Sequence, residues 1–206
     1  MDNKANKLDY PTNQRPLSRD FYTRYTLNVA RDLLGKIFYR RKLQGLLVGR
    51  FVEVEAYRGV DDPASHAFRR LTPRNRVMFG KAGVTYVYFT YGNHHCLNIV
   101  TEEKGKPGAV LIRAMEPLFG IEVMKANRGV TNSLELTSGP GKLTKAFQIT
   151  LEDNGCDLTQ GGEMFITSSD TVDEFEIGES TRVGIRVATD KPWRYFIKGN
   201  LYVSRR

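Results

Sequence analysis

The chain has 206 residues and a mass of 23.4 kDa, a length that suits one large domain with its own core. Hydrophobic residues make up 40% and charged residues 26%, which excludes a disordered chain. A net charge of +8 and a pI near 9.5 favour an anionic partner, nucleic acid ahead of a membrane surface.

Residues 1–17 are polar, contain Pro11 and Pro16, and are expected to form a flexible arm ahead of a domain spanning 18–206. Met1 to Lys7 has no apolar signal-peptide core, and no apolar run reaches membrane-spanning length. Ser18 is placed to cap a helix whose face carries Phe21, Tyr25, Val29, Leu33 and Leu34 before Gly35 stops it. Lys36 to Tyr57 reads as strands with a turn near Gln44-Gly45, and residues 60–83 as a loop-rich segment. Val84 to Val100 reads as a hairpin reversing at Gly92-Asn93. A strand over Ala109–Met115 precedes a helix expected from about Pro117 to Asn127, and Ser138-Gly-Pro-Gly-Lys142 opens another running to Phe147. Short strands are expected at Gly162–Thr167, Thr181–Ala188 and Tyr195–Val203. Many strands, few helices and no βαβ rhythm imply an α+β fold: one compact domain with a mostly antiparallel sheet flanked by a few helices. The charges are dispersed, apart from Arg40-Arg41-Lys42 and Arg69-Arg70 with Arg74 and Arg76, which suggests a folded, curved basic face.

Two stretches carry candidate chemistry. In Phe51–Tyr57, strand alternation puts Val52, Val54 and Ala56 on one side and Glu53, Glu55 and Tyr57 on the other. Strands disfavour glutamate. Two on one face are either solvated at the surface or line a pocket, where one of them beside Tyr57 can serve as a general base. Burial would then raise its pKa and nearby arginines would oppose the rise. In the hairpin, Tyr86 and Tyr88 share a face while Tyr91 sits beside the turn. Tyr91 either packs along its own hairpin or projects as a wedge between stacked bases.

Cys96 and Cys156 give neither a disulfide framework nor metal-ligand spacing, and a reduced intracellular setting is the default. His94-His95-Cys96 offers two ligands at most on one side of a strand, so no metal site is expected. Ser138 to Lys142 either presents Lys142 and helix amides to a phosphate or is a plain helix start. Arg74 and Arg76 either contact backbone phosphate or tie their loop down, and Trp193 and Tyr195 read as core more readily than as stacking platforms.

Several blocks resemble the alkyladenine (3-methyladenine) DNA glycosylase family, in its order and spacing. They are Gly49–Tyr57, His66, Thr72–Phe79, Tyr86–Gly92, Cys96–Asn98, Leu111–Pro117 and Ser138–Leu143, and the resemblance extends from about residue 18 to the Arg194–Ser204 end. It implies that Glu55 is the general base that activates water against C1′ of a flipped nucleotide, with Arg113 near that water and the nucleotide's phosphate. It implies a base-binding pocket of Tyr57, His66 and Tyr88, an Asn98 that crowds the exocyclic amino group of guanine, and a Tyr91 that fills the gap left in the duplex. Glu53 reads as support for the strand or as a second hydrogen-bonding layer. The better-known vertebrate pattern of the family is departed from around His94-His95 and Ala67-Phe68, which bears on lesion range.

The expected function is base excision repair by hydrolysis of the N-glycosidic bond of alkylated purines: 3-methyladenine, 7-methylguanine, and hypoxanthine or ethenoadenine as further candidates. No lysine stands among the pocket residues, so no strand cleavage is expected. No cofactor is expected. The expected partner is damaged double-stranded DNA, not a membrane, and the expected setting is a monomer in the cytoplasm, at the nucleoid if bacterial. The rival is a binding module without catalysis, against which Glu55 speaks, because a binder has no use for an acid facing an anionic ligand. A glycosidase acting on free nucleosides is disfavoured by the charge and by Tyr91.

Overall fold

The structure is a computed structural model and describes residues 14–90, 92–169 and 174–204. Its spine is β2 (Gly45–Arg58), a strand of 14 residues buried over most of its length. A strand that long needs both edges paired and both faces covered. One edge pairs from Val48 to Arg58 with β5 (Gly108–Phe119). The other pairs first with β1 (Ile37–Lys42) and then, from Glu53 to Glu55, with β8 (Arg194–Ile197).

Outward from this spine run β4 (His94–Thr101) and β3 (Thr85–Thr90) beyond β5, β6 (Met164–Thr167) beyond β1, and β7 (Ile177–Ser180) beyond β8. Every pairing is antiparallel, giving eight strands among the described residues in one curled sheet. Four helices flank it: α1 (Arg19–Tyr22), α2 (Thr26–Leu33), α3 (Ile121–Arg128) and α4 (Pro140–Ala146). The α+β reading of the sequence holds. No helix among the described residues is long and apolar enough to cross a membrane.

The main core lies between the helices and one face of the sheet, where Val52, Val54 and Ala56 of β2 meet Val29, Leu33, Leu143 and Phe147, all fully buried. Alternation along β2 therefore sends Glu53, Glu55 and Tyr57 to the opposite, concave face.

Four elements differ from expectation. The first helix is split: Tyr25 is extended and half exposed, and Tyr22 is the buried residue in place of Phe21 and Tyr25. Glu102 makes the break, because its Oε1 accepts from both Thr26 N and Thr26 Oγ1 at 2.8 Å and so caps α2 from a distant loop. The helix expected from Pro117 starts at Ile121 instead. Pro117 pairs with Gly49 where the β2–β5 register slips, a place where a missing N–H is tolerated. Gly120, at φ +77, then turns the chain into α3, and a Cβ there would meet Leu46 O at 2.6 Å. Thr181–Ala188 forms no strand; β7 ends at Ser180. The last strand ends at Ile197 rather than Val203.

The hairpin closes on a Thr90–His94 pair, so its reversal is one residue longer than a two-residue Gly92-Asn93 turn. Tyr91 lies outside the described residues, as do residues 1–13 of the expected arm. Leu17 is docked: its N–H donates to Ile166 O at 2.7 Å and its side chain packs on the core.

Arg40 also departs from the sequence reading. It is buried at 1% exposure and donates to Asp153 Oδ1 at 2.6 Å, so it is structural rather than part of a basic surface. Asp153 accepts from Thr150 N at 2.9 Å as well, which closes a capping box on the Leu151–Asp153 turn. Asp153→Ala should therefore leave a buried guanidinium with only the longer Glu163 contact at 3.4 Å and cost about 3–5 kcal/mol of stability, read from urea denaturation midpoints. A loss below about 1 kcal/mol would contradict this account of the pair.

Candidate active site

The sheet's register lines up the site residues. Tyr86 pairs with Asn98, Asn98 with Leu111, Leu111 with Glu55, and Glu55 with Arg194, one residue from each of five neighbouring strands. Directly paired residues point to the same face. That row therefore forms the floor of the concave side. Tyr57, Tyr88, Cys96 and Arg113 flank it, and together with His66, Asn98 and the irregular segment Val183–Val187 they line a cavity of about 380 Å³.

The cavity's aromatic wall comes from both strand and loop. His66 and Tyr88 meet edge to face with ring centroids 4.6 Å apart, and Tyr86 leans on Tyr88 at 5.4 Å. His66 Nδ1 lies 2.9 Å from Tyr86 Oη, a hydrogen bond whose donor depends on the imidazole tautomer. His66 is exposed as a residue, yet its ring stands against those of Tyr86 and Tyr88. Desolvation, with Arg74 adding to it, pulls its pKa below the ordinary histidine value, so the ring is neutral at pH 7. Burial pushes the Tyr57 and Tyr88 hydroxyls well above the usual tyrosine range, so both remain phenols. An uncharged aromatic enclosure of this kind accepts a planar, electron-poor ring. Asn98, buried at the floor, donates from Nδ2 to Tyr86 O at 3.0 Å and is held in one orientation by that bond.

Glu55 lies directly behind the cavity wall and is fully buried. Its Oε1 accepts from Val183 N at 2.6 Å and pairs with Arg113 Nη1 at 3.2 Å, while Oε2 accepts from Tyr57 Oη at 2.8 Å. Burial raises its pKa above the ordinary glutamate value against the pull of Arg113, the Val183 amide and the Tyr57 hydroxyl. The surface-solvated alternative for these glutamates is thereby excluded: Glu53 is also at 0% exposure. A buried carboxylate with raised basicity beside an aromatic cavity is equipped to take a proton from water.

The basic candidates lie at the periphery. Arg74 and Arg76 are exposed, with the Arg74 guanidinium 5.0 Å above the Tyr88 ring. Lys142 is half-buried at the start of α4, its Nζ 3.5 Å from Ser138 Oγ. His94 packs against Gly141 at the same helix, and His95 against the exposed Phe89 with rings 5.0 Å apart.

Against this geometry the likeness to known proteins is specific. The profile of the methylpurine-DNA glycosylase (MPG) family matches residues 20–201. The chain belongs to the methylpurine-DNA glycosylase family. A protein of Carboxydothermus hydrogenoformans, named "Putative 3-methyladenine DNA glycosylase", is 49% identical over 190 residues, covering 92% of this chain and 99% of that protein. One of Methanoculleus marisnigri with the same name is 50% identical over 190 residues, covering 90% and 97%.

Sequence reasoning missed two buried residues that support this cavity, Arg182 and Asp62. Arg182 is buried between the rings of Tyr57 at 4.6 Å and Trp193 at 5.0 Å. Its guanidinium grips Asp62 in a bidentate pair, Nη1 to Oδ2 at 2.6 Å and Nη2 to Oδ1 at 2.7 Å, and Nη1 also donates to Ala56 O at 3.0 Å. This clamp fixes the Val183 amide on Glu55 and, with Gly184 at φ +80, keeps 181–188 out of any strand. Alternating Val183, Ile185 and Val187 mimic a strand pattern, and nothing local in the sequence signals the 120-residue reach to Asp62. Arg182→Met should leave buried Asp62 without its bidentate partner, lowering stability by about 3–5 kcal/mol in urea denaturation. Retention of wild-type stability would mean the clamp does not hold the segment.

Proposed function

We propose that this chain is a monofunctional glycosylase that flips an alkylated purine nucleotide out of duplex DNA into the 380 Å³ cavity. There it hydrolyses the N-glycosidic bond, with Glu55 as general base. The observation that carries the reading is Glu55 itself: fully buried, raised in pKa, and set against Tyr57, Arg113 and Val183, three of the residues that line the aromatic cavity.

In the proposed step, Glu55 takes a proton from water as the water oxygen bonds to C1′. The C1′–N bond breaks, and its electron pair neutralises the positive charge that alkylation at N3 or N7 placed on the purine. A cationic base leaves without added protonation. Hypoxanthine and ethenoadenine are neutral and require a proton from an acid that these residues do not identify. Tyr57, His66 and Tyr88 hold the base by stacking and cation–π attraction, which neutral His66 does not oppose. Arg113 is assigned a place near the attacking water and the phosphate of the flipped nucleotide, with its ion pair to Glu55 in support. Arg74, Arg76 and Lys142 are assigned to DNA phosphates, with exposure of both arginines in support. Tyr91 is assigned the wedge role on the strength of the family pattern. The working form is a monomer on damaged double-stranded DNA, and the abasic product is left uncleaved.

Glu55→Gln keeps the side chain's size but removes the proton acceptor. Release of 3-methyladenine in single turnover should slow by about two to four orders of magnitude. Duplex binding should persist, because phosphate contacts dominate affinity. Near-normal excision by this variant would overturn the assignment.

Asn98 is read as the group that crowds the two-position amine of guanine. Asn98→Ser should raise excision of 7-methylguanine or guanine relative to 3-methyladenine while changing the melting temperature little. Relative rates that stay constant across these substrates would remove Asn98 from discrimination.

A further inference from the structure

The second carboxylate of the pair, Glu53, is fully buried two residues before Glu55 and is met by four donors. Arg113 Nε and Arg194 Nε donate to its Oε1 at 2.8 and 2.7 Å, Ser204 Oγ donates to the same oxygen at 2.9 Å, and Ser204 N donates to Oε2 at 2.5 Å. No side chain needs this investment merely to extend a strand, since an apolar residue would be stable there without partners.

Backbone geometry points the same way. The β2–β5 register runs Phe51–Met115, Glu53–Ala114, Val54–Ile112, so it shifts on both sides of Glu53 and leaves Arg113 between paired residues. Such an irregularity re-aims a side chain. Arg113 is re-aimed across both carboxylates, with Nε on Glu53 and Nη1 on Glu55 Oε1 at 3.2 Å. The guanidinium is a rigid plane, so fixing Nε fixes where Nη1 points. Four buried charges result: Glu53, Glu55, Arg113 and Arg194, two of each sign when Glu55 is ionised. Without Glu53 the base would face both arginines alone.

We propose that Glu53 is a positioning residue for base excision: it anchors Arg113 in register with Glu55 and takes up the positive charge that Arg113 and Arg194 would otherwise impose on that base. The inference rests on the reading of Glu55 as the general base.

The groups around the two carboxylates set the direction of a test. Glu53 is faced by Arg113 from β5, Arg194 from β8, Ser204 from the C-terminal turn and Glu55 from its own strand. Burial alone would raise the Glu53 pKa, but Arg113, Arg194 and Ser204 together hold it below the ordinary value, so it stays ionised through the working pH range. Glu55 is faced by Arg113, the Val183 amide, the Tyr57 hydroxyl, Glu53 and the Cys96 thiol, with Arg194 paired opposite it on β8, and the Glu53 charge adds to the rise that burial produces. Catalysis requires ionised Glu55, so excision falls as pH drops through its pKa. Removing the Glu53 charge lowers that pKa and carries the acid limb down; removing the Arg194 charge carries it up.

The experiment is single-turnover release of 3-methyladenine from a duplex across pH, corrected for spontaneous loss, for the full chain, E53Q, R194Q and S204A, with melting curves as folding control. Expected are an acid limb about one pH unit lower in E53Q, a limb displaced upward in R194Q, and an unmoved limb in S204A, which keeps every charge. An unmoved limb in folded E53Q overturns the proposal, as does a shift in S204A as large as in E53Q. If E53Q does not fold, R194Q decides, and an unmoved or lowered limb there overturns it. A full chain with no acid limb, or with an equally active Glu55→Gln, would instead sink the reading of Glu55 and is distinguishable from either result.

Discussion

Two carboxylates buried on one face of a single strand are the constraint around which this molecule is organised. A buried carboxylate is tolerated only when its charge and its lone pairs are met. In β2 the partners for Glu53 and Glu55 come from almost everywhere else in the chain: Arg113 from β5, Arg194 from β8, the Val183 amide from the segment after β7, and Ser204 from near the C-terminus. Each partner draws its own element onto the concave face. The requirement to satisfy two acids therefore gathers the same segments that wall the cavity.

The same constraint redistributes the chain's positive charge. A net charge of +8 suggests a surface rich in cations, yet Arg40, Arg113, Arg182 and Arg194 are all inside the fold. Three of them, Arg113, Arg182 and Arg194, surround the site, paired to Glu53, Glu55 and Asp62. Their charge is neutralised locally, while Arg74 and Arg76 stay exposed. Arg182 also backs the Tyr57 ring, so one side chain joins the charge network to the stacking wall. The buried carboxylates and the aromatic cavity all lie within residues 20–201, the part of the chain that matches the methylpurine-DNA glycosylase family.

Much of the site was legible before folding because its signals are local. Alternation in Phe51–Tyr57 separates Val52, Val54 and Ala56 from Glu53, Glu55 and Tyr57, and the structure keeps that division. The β3–β4 hairpin, with Tyr86 and Tyr88 on one face, follows from period two and Gly92. What misled was local pattern overruled by distant partners. Arg40 reads as basic surface until Asp153, 113 residues away, pairs with it. Thr181–Ala188 reads as a strand until Arg182 turns inward to Asp62. The helix at 18–34 reads as continuous until Glu102 caps its second half.

The sequence by itself determined the fold class and the face on which the two glutamates stand, because strand period is a property of neighbouring residues. Whether that face would be buried or solvated was decided only by tertiary structure. Burial depends on which segments return to cover it, and each of those contacts spans dozens of residues: Ser204 to Glu53 across 151, Val183 to Glu55 across 128, Arg113 to Glu53 across 60. The raised basicity of Glu55 comes first from the cover that removes water, and no property of a strand read alone contains that.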